Sequence, residues 1–338
     1  MRSSTLNLQQ LRKIAVFYSR FTPSFSAIGY YARRPFWQNV PLQAEGKTWL
    51  VTGASGGIGG EVVRQVAGAG GRVLAVARNQ GKLDALVQSL EKDAAALVVP
   101  MVCDLSLMRD TARLVRQLAA VGEKIDVLVN NVGILQAQLS VTEENLELSF
   151  ATNLLNHFLL TEGVISNDTL ASDAVVVNVS SGGMYNQPLR LDMMNNQSAT
   201  YSGVVAYGQH KRAQVALTDY WRRSAHTGQR TFYVMHPGWS DTGGVRTGMP
   251  RFRKILKSVL RDELQGADTI LWLASKRPAQ PHNDLIWFDR KIRPAHIYAH
   301  TSVNQDSPEA LADYLAGFCS EFTGVEAPST SAALRAVQ

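Results

Sequence analysis

A glycine-rich turn between a strand pattern and a helix pattern constrains the fold of this chain more than any other feature. The apolar run TWLVT at 48–52 predicts a buried strand, and GGIGGEVVRQVAGAGG after it predicts a helix that ends in glycines. The connecting sequence, TGASGGIG at 52–59, contains Gly53, Gly57 and Gly59. Glycines in this order let a pyrophosphate approach the backbone at the positive end of the helix. The turn therefore predicts a dinucleotide site, and a turn with only a packing role is the alternative.

Strand and helix patterns alternate strictly along the rest of the chain. Six further strands are predicted, at 72–78, 96–105, 125–131, 173–181, 230–238 and 284–288. Helices are predicted between them, at 82–93, 108–121, 142–166, 205–226 and 266–275. Such alternation implies a mostly parallel sheet with helices on both faces, because parallel strands need a crossover connection. We predict an α/β fold with a single Rossmann-type, doubly wound parallel sheet of about seven strands.

The distribution of charge argues against a nucleic-acid partner. Six of the 34 basic residues lie in residues 1–44, which contain no acid, so the body from residue 45 carries 28 basic and 28 acidic residues. A neutral body gives little electrostatic support to nucleic-acid binding. The two cysteines predict no disulfide framework. His296 and His300 have an i, i+4 spacing but no evident third ligand, so we predict no metal site.

Three regions are predicted along the chain: a basic extension at 1–44, a domain at 45–325 and a disordered tail at 326–338. The extension carries an amphipathic pattern over 8–21 and resembles a mitochondrial presequence, which predicts a mitochondrial location. A membrane-surface helix and an arm that packs on the domain are the alternatives, with a membrane-surface or cytoplasmic location. Import of a reporter fused to residues 1–44 would separate them.

The end of the second strand predicts the cofactor class. NAD binders usually place an acid there to hold the ribose 2′-hydroxyl, whereas an arginine accommodates the 2′-phosphate of NADP. Here the strand ends in Val76, Ala77 and Arg78, with no acid. Because a guanidinium matches a phosphate through two parallel hydrogen bonds, we expect NADP(H) rather than NAD(H). A surface arginine that happens to follow a strand is the alternative.

The sequence YGQHK at 207–211 places a phenol and an ammonium one helical turn apart. An ammonium fixed near a phenol favours the phenolate, and a general acid or base is most efficient when its pKa lies near the working pH. Tyr207 and Lys211 are therefore a candidate catalytic pair. A surface helix that carries both residues by chance is the alternative.

The order of six motifs resembles the short-chain dehydrogenase/reductase family over residues 45–290. The motifs are TGASGGIG, NNVG at 130–133, a helical asparagine at 153, NVSS at 178–181, YGQHK, and HPGWSDT at 236–242. The resemblance implies an oxidoreductase that interconverts a carbonyl and an alcohol with a nicotinamide cofactor. It also implies that Tyr207 is the general acid/base, and that Lys211 lowers the pKa of this tyrosine and binds the nicotinamide ribose.

Further roles follow from the same resemblance. Ser181 would hold the substrate oxygen, with Ser180 as the alternative, and Asn153 would fix a water in a proton relay. Asp104 would contact the adenine and Thr242 the carboxamide. The other positions implied at the cofactor are Gly53, Ser55, Gly57, Ile58, Gly59, Leu105, Asn130, Gly133, Pro237 and Gly238.

Two features depart from the family pattern. Val132 stands where the family usually has alanine, which would crowd the adenosine side slightly. Ser181 and Tyr207 are 26 positions apart, a longer spacing than in compact members of the family. The longer spacing resembles the retinol-dehydrogenase-like group, so the assignment of Ser181 is kept.

The segment at 182–204 predicts one wall of a substrate cleft. Its side chains suit a lipophilic carbonyl or alcohol; they are Met184, Tyr185, Pro188, Leu189, Leu191, Met193, Met194 and Tyr201. A later helix pattern places Phe252, Ile255, Leu256, Val259 and Leu260 opposite Arg253, Lys254, Lys257 and Arg261. This helix is predicted as a lid, a peripheral membrane contact or an ordinary domain helix.

Two other functions remain open from the sequence. A nucleotide-sugar epimerase or dehydratase shares the Tyr–Lys pair, but it usually has a larger C-terminal substrate domain. A catalytically weak regulator or scaffold that binds NADP(H) is the second alternative. The family also forms dimers through the helices after strands four and five, so a homodimer is a further expectation.

Overall fold

Eight strands form one sheet at the centre of the computed structural model, which describes residues 19–281, 283–303 and 305–323. The strands are β1 Thr48–Thr52, β2 Arg72–Ala77, β3 Val98–Val102, β4 Ile125–Asn130, β5 Leu170–Val179, β6 Thr231–Met235, β7 Leu285–Phe288 and β8 Lys291–Pro294. Their order is β3-β2-β1-β4-β5-β6-β7-β8, and every pairing from β3 to β7 is parallel. The predicted doubly wound parallel sheet is confirmed.

The eighth strand is the difference from the predicted count. β8 pairs antiparallel with β7 through a two-residue turn in which Asp289 and Arg290 have φ of 50° and 58°. Two positive φ values match the right-handed twist of a tight hairpin, although they favour Asn or Gly rather than Arg. The short, charged sequence of β8 carries no strand pattern, which is why the sequence did not predict it.

Helices cover both faces of the sheet. They are α1 Ala27–Arg33, α2 Gly57–Gly68, α3 Gln80–Gln88, α4 Lys92–Ala96, α5 Met108–Val121, α6 Leu148–Phe150, α7 Asn156–Ser166, α8 Gly203–Arg223, α9 Gly243–Gly248, α10 Pro250–Leu256, α11 Glu263–Lys276 and α12 Pro308–Thr323. One core cluster joins alternate strand residues such as Leu50 and Leu128 to α5, α7, α8 and α12. A second joins Trp49 and Val127 to α2 and α11. Burial on both faces explains the nearly continuous apolar runs of the strands.

The long helix predicted at 142–166 begins later and is not uniform. Glu147 caps it, because its carboxylate accepts hydrogen bonds from the backbone N–H groups of Ser149 at 2.9 Å and Phe150 at 2.7 Å. A π-helical turn at Ala151–Leu155 separates α6 from α7. Turns of this kind are frequent at functional sites, and this one carries Asn153.

The described part of the N-terminal extension packs on the domain. Residues 19–25 are helical, and Phe21, Phe25 and Tyr30 are buried. Trp239 N–H donates to Phe25 O at 2.8 Å, and Ala27 N–H donates to Val259 O at 2.9 Å. We call residues 19–37 the arm. Residues 1–18 and 326–338, on which the leader and tail predictions mainly fall, lie outside the described residues.

A buried carboxylate joins the arm to the segment after α10. Asp289 accepts from Arg261 Nη1 at 2.6 Å and Nη2 at 2.8 Å, and from Arg33 Nε at 2.8 Å. The predicted exposed basic position of Arg261 is therefore wrong, and Ile255, predicted on the apolar face, is 73% exposed. Arg261 differs from the prediction because α10 ends at Leu256, so residues after it do not continue the predicted helical wheel. Among the described residues, no helix is long and apolar enough to cross a membrane.

Candidate active site

Tyr207 and Lys211 lie one turn apart near the start of α8, as the sequence predicts. Lys211 Nζ lies 5.7 Å from the centroid of the Tyr207 ring. The Tyr207 hydroxyl shares a hydrogen bond with the Ser181 side chain. Burial raises the pKa of Tyr207 and the hydrogen bond with Ser181 lowers it, with burial the larger effect. The protein's own groups therefore hold this phenol protonated, whereas the resemblance implied that Lys211 lowers its pKa.

The two serines of NVSS have different surroundings. Ser181 caps the short 3₁₀ helix Gly182–Asn186 and faces Tyr207. Ser180 is buried, and its hydroxyl donates to the Lys211 carbonyl oxygen at 2.7 Å. Ser180 therefore fixes α8 against the end of β5, and Ser181 is the serine whose side chain reaches Tyr207.

Lys211 is buried without an acidic partner among the described residues. Its ammonium donates to Val179 O at 2.8 Å and to Gln214 Oε1 at 3.2 Å. Burial lowers the pKa of Lys211 to about 7. A methyl group on Gly133 would lie 3.3 Å from Lys211 Nζ, so the absence of a side chain at Gly133 leaves the approach to the ammonium open.

Asn153 is fixed on both sides of its amide. Asn153 Oδ1 accepts from Ile134 N at 2.7 Å, and Asn153 Nδ2 donates to Ile134 O at 2.8 Å. Its own carbonyl oxygen accepts from Gln214 Nε2 at 2.7 Å. Asn153 therefore lies near Lys211, since a methyl group on Gly133 would lie 3.3 Å from Lys211 Nζ and 3.4 Å from Asn153 Oδ1. Its predicted role in a proton relay stays a prediction.

The glycine turn has the geometry that the sequence predicts. Gly53 and Gly57 have φ of +67° and +56°, a region that disfavours side chains. A methyl group on Gly59 would lie 2.4 Å from Gly53 O, so this position also requires glycine. Gly56 and Gly57, at the N-terminus of α2, face open space. This open cradle at a helix N-terminus fits a pyrophosphate.

Five further predicted residues lie at the neighbouring strand ends or in the glycine turn. Arg78 is exposed directly after β2. The end of β2 lies beside the glycine turn, because Ala54 N–H donates to Val76 O at 3.1 Å. Asp104 follows β3 and accepts from Ser106 Oγ at 2.7 Å. Leu105 and Ile58 are buried, 4% and 5% exposed. Ser55 is half-buried in the turn.

The side chain of one predicted residue in the NNVG motif does not face the glycine turn. The Asn130 side chain is buried and donates to Thr161 Oγ1 at 3.0 Å and Asn178 Oδ1 at 2.9 Å, so it is turned away from the cleft. Asn131 instead donates to Thr52 O at 2.8 Å and holds the glycine turn. The sequence signal for this position was an asparagine at the end of a strand. Adjacent residues of a strand point to opposite faces, so the sequence alone does not decide which of the two asparagines faces the turn.

The HPG segment is enclosed by the arm. Gly238 has φ of +77°, and a methyl group there would lie 2.5 Å from Arg261 Nε and 2.6 Å from Phe25 O. Pro237 and Thr242 are half-buried on either side of it. The predicted cofactor residues of this segment therefore lie together after β6; they are Pro237, Gly238 and Thr242. The arm packs against this segment at Gly238.

The predicted apolar wall is in large part core. Met184, Leu189 and Met194 are 0%, 1% and 0% exposed, and Tyr185 is 3% exposed. Leu189 and Met194 belong to the cluster under α8, and Met184 and Tyr185 to the cluster around Phe25. The sequence could not separate these side chains from cleft-lining ones, because both kinds are apolar. The half-buried members are Pro188, Leu191, Met193 and Tyr201.

Comparison with known proteins decides the family. A family model described as short chain dehydrogenase matches residues 47–249. This chain belongs to the short-chain dehydrogenase family. The family and fold make the protein an oxidoreductase acting on alcohols or carbonyls with a nicotinamide dinucleotide.

Similar proteins extend over most of the chain. Dehydrogenase/reductase SDR family member 12 from Bos taurus is 36% identical over 280 residues, which is 82% of this chain and 87% of that protein. Retinol dehydrogenase 13 from Homo sapiens is 28% identical over 294 residues, 84% of this chain and 86% of that protein. A crystal structure of a Mycobacterium Paratuberculosis protein is 25% identical, with a TM-score of 0.65, and covers 86% of this chain and 99% of that one.

Proposed function

We propose that the protein is an NADP(H)-dependent reductase or dehydrogenase that interconverts a lipophilic carbonyl and its alcohol, with Tyr207, Ser181, Lys211 and Asn153 as its functional set. The observation that carries the proposal is the meeting of Tyr207, Ser181 and Lys211 at the end of β5, on the strand edge that also bears the glycine turn. Ligands bind at this edge in open parallel sheets.

Each side chain has a role that its surroundings support. The dinucleotide supplies the hydride when bound. In the reductive direction the Tyr207 hydroxyl, which burial keeps protonated, donates its proton to the carbonyl oxygen. Ser181 donates a hydrogen bond to the same oxygen. Lys211, as an ammonium, stabilises the phenolate that remains, because a nearby positive charge favours the ionised form.

Arg78 supports the choice of NADP(H), since it is the exposed guanidinium at the end of β2. Replacing Arg78 by Ala is expected to weaken NADPH binding by about tenfold to a hundredfold, because a hydrogen bond to a charged group contributes about 1.5–3 kcal/mol. NADH binding should change less than about twofold. Fluorescence titration of both cofactors measures the two effects. Arg64→Ala, which removes an arginine on the outer side of α2, is the control, and equal losses for both cofactors would contradict the assignment.

The lipophilic substrate class rests on relatives rather than on the cleft wall. Retinol dehydrogenase 13, to which this chain is similar, is named for a lipophilic alcohol. We extend that class, without the compound, to this protein. Oxidation of NADPH in the presence of steroids, retinoids, quinones and aldehydes tests it. Tight NADPH binding without turnover of any of them would favour the scaffold interpretation instead.

A peripheral membrane contact fits such a substrate and has a candidate surface. Ile28 and Tyr31 on α1 are 55% and 56% exposed, and Ile255 on α10 is 73% exposed beside the exposed Lys254 and Lys257. The backbone hydrogen bond from Ala27 to Val259 holds α1 near the end of α10. Apolar side chains among lysines are typical of surfaces that bind anionic lipid.

The double variant Lys254→Glu, Lys257→Glu tests this contact. It is expected to lower binding to phosphatidylserine vesicles by at least about tenfold, since each basic group near an anionic surface contributes about 1 kcal/mol. Vesicle flotation measures the bound fraction. Lys276→Glu, at the far end of α11, is the matched control. Absence of binding by the unaltered protein, or an equal loss in the control, would overturn the contact.

A further inference from the structure

A side-chain amide that the family motifs do not assign holds the ammonium of Lys211. Gln214 lies three residues after Lys211 on α8 and is 2% exposed. Its Oε1 accepts from Lys211 Nζ at 3.2 Å, and its Nε2 donates to Asn153 O at 2.7 Å. The same Nε2 lies 2.9 Å from His157 Nδ1 on α7. The partners of this amide are therefore Lys211, the π-helical turn at Asn153 and α7 at His157.

The contacts fix the orientation of the amide. If Gln214 were rotated by 180° about its last bond, its NH₂ group would face the Lys211 ammonium, and its oxygen would face the Asn153 carbonyl oxygen. Both contacts would be repulsive, so the arrangement with Oε1 on Lys211 is the one that satisfies every group. His157 Nδ1 must then accept from Gln214, and His157 Nε2 carries the proton and donates to Val132 O at 3.0 Å.

The imidazole of His157 stays neutral in this position. Burial, together with the charge of Lys211, lowers the pKa of His157 to about 3, against a smaller opposing effect of the hydrogen bond to Val132. The other titratable groups near Lys211 are Tyr207 and His210, both on α8. Burial is also the largest influence on the pKa of His210, which it lowers, and Glu147 lies 3.8 Å from that imidazole. Gln214 is therefore the side-chain acceptor of the ammonium, and it is uncharged.

We propose that Gln214, oriented by His157, is a positioning residue that holds the Lys211 ammonium between β5 and the Gly133 loop. The amide ties three parts of the site together: α8 with its lysine, the π-helical turn with Asn153, and the loop after β4 through His157 and Val132. It acts through Lys211 and touches no reacting atom. A neutral acceptor stabilises the ammonium less than a carboxylate would, so the identity of residue 214 should set the pH at which Lys211 loses its proton. This inference rests on the proposed role of Lys211.

Two substitutions of nearly equal size should move that pH in opposite directions. Gln214→Glu places a carboxylate beside the ammonium and should raise the midpoint of Lys211 ionisation by one pH unit or more. Gln214→Met removes the acceptor and should lower it. The pKa of Lys211 is lower in the folded chain than in the unfolded chain, so at a pH between these two values the unfolded chain binds more protons. The free energy of unfolding therefore rises with pH from about 7 towards 10. That rise should begin at higher pH in Gln214→Glu and at lower pH in Gln214→Met.

Thermal melts of the full chain from pH 6 to 10 measure this rise without any cofactor. NADPH titrations over the same pH range measure the effect on cofactor affinity. The affinity of each variant is divided by that of the unaltered protein at the same pH, so that ionisation of the cofactor phosphate cancels. A merely structural role predicts loss of stability in both variants with no opposite displacement. That result, or displacement in one common direction, would overturn the proposal. Unaltered protein that fails to bind NADPH would instead contradict the proposed function, while the melts would still decide the role of Gln214.

A second pair of variants covers the case in which Gln214→Glu does not fold. His157→Gln keeps an acceptor for Gln214 and a donor for Val132, so its melts should follow those of the unaltered protein. His157→Phe keeps the bulk and removes both, so it should follow Gln214→Met. Identical pH profiles for the two His157 variants would also overturn the proposal.

Discussion

Replacement of Tyr207 by Phe lowers the turnover number by about two to four orders of magnitude, the contribution expected of a positioned general acid. The substitution removes one oxygen and leaves the ring, which packs beside Gly183, where a methyl group would lie 3.5 Å from it. NADPH affinity should stay within about twofold, because the contacts proposed for the dinucleotide lie at the glycine turn, Arg78 and Lys211. Steady-state turnover and fluorescence titration on the same preparation measure the two quantities.

The control for Tyr207→Phe is Tyr220→Phe on the same helix. Tyr220 lies toward the far end of α8, where its ring contacts His226. This variant should keep full turnover. Turnover that survives in Tyr207→Phe would exclude the phenol as the proton donor, whereas equal losses in both variants would point to damage of α8 rather than loss of a proton donor.

Replacement of Asp289 by Asn lowers the free energy of unfolding by about 3–5 kcal/mol, as expected when one partner of a buried ion pair is removed. Asp289 and Arg261 are each 1% exposed at the side chain, and Arg33 is 23% exposed. Asparagine tolerates the positive φ of this turn, so the substitution tests the charge rather than the backbone. Two guanidinium groups would lose their carboxylate at once, and the arm and the segment after α10 would lose their shared anchor.

Urea denaturation of the full chain measures the loss. Asp268→Asn, which weakens the half-buried pair with Arg290 at the same edge of the sheet, is the matched control and should cost much less. A loss below about 1 kcal/mol in Asp289→Asn would show that the arm does not depend on this carboxylate. Limited proteolysis in the arm should increase in the same variant, because Arg33 would no longer be held.

The fold and the centre of the site could be predicted from the sequence for physical reasons. Strands buried on both faces and helices between them leave strong patterns, so the order of elements could be predicted. Gly53, Gly57 and Gly59 could be predicted because positive φ and close packing exclude side chains. The Tyr207–Lys211 spacing is fixed by the helical repeat.

Other features depend on contacts between distant segments, which the sequence does not encode locally. Met184 and Met194 are in the core, although the sequence predicted them as part of a cleft wall. Arg261 is buried because Asp289, 28 positions later, faces it. The role of Gln214 becomes visible only when the fold brings the π-helical turn with Asn153 and α7 with His157 to it. The helix at Pro308–Thr323 also escaped prediction, although Leu311 and Leu315 are fully buried against the body.

The central claim is that one cleft binds the dinucleotide and places the Tyr207 phenol at the reacting oxygen. The transfer of deuterium tests this claim most directly. NADPH deuterated at the transferable position of its nicotinamide ring would be incubated with a panel of lipophilic carbonyls, and the products analysed by mass spectrometry. The account predicts deuterium on the carbinol carbon with the unaltered protein and almost none with Tyr207→Phe. No transfer to any carbonyl at saturating NADPH, or undiminished transfer by Tyr207→Phe, would contradict it.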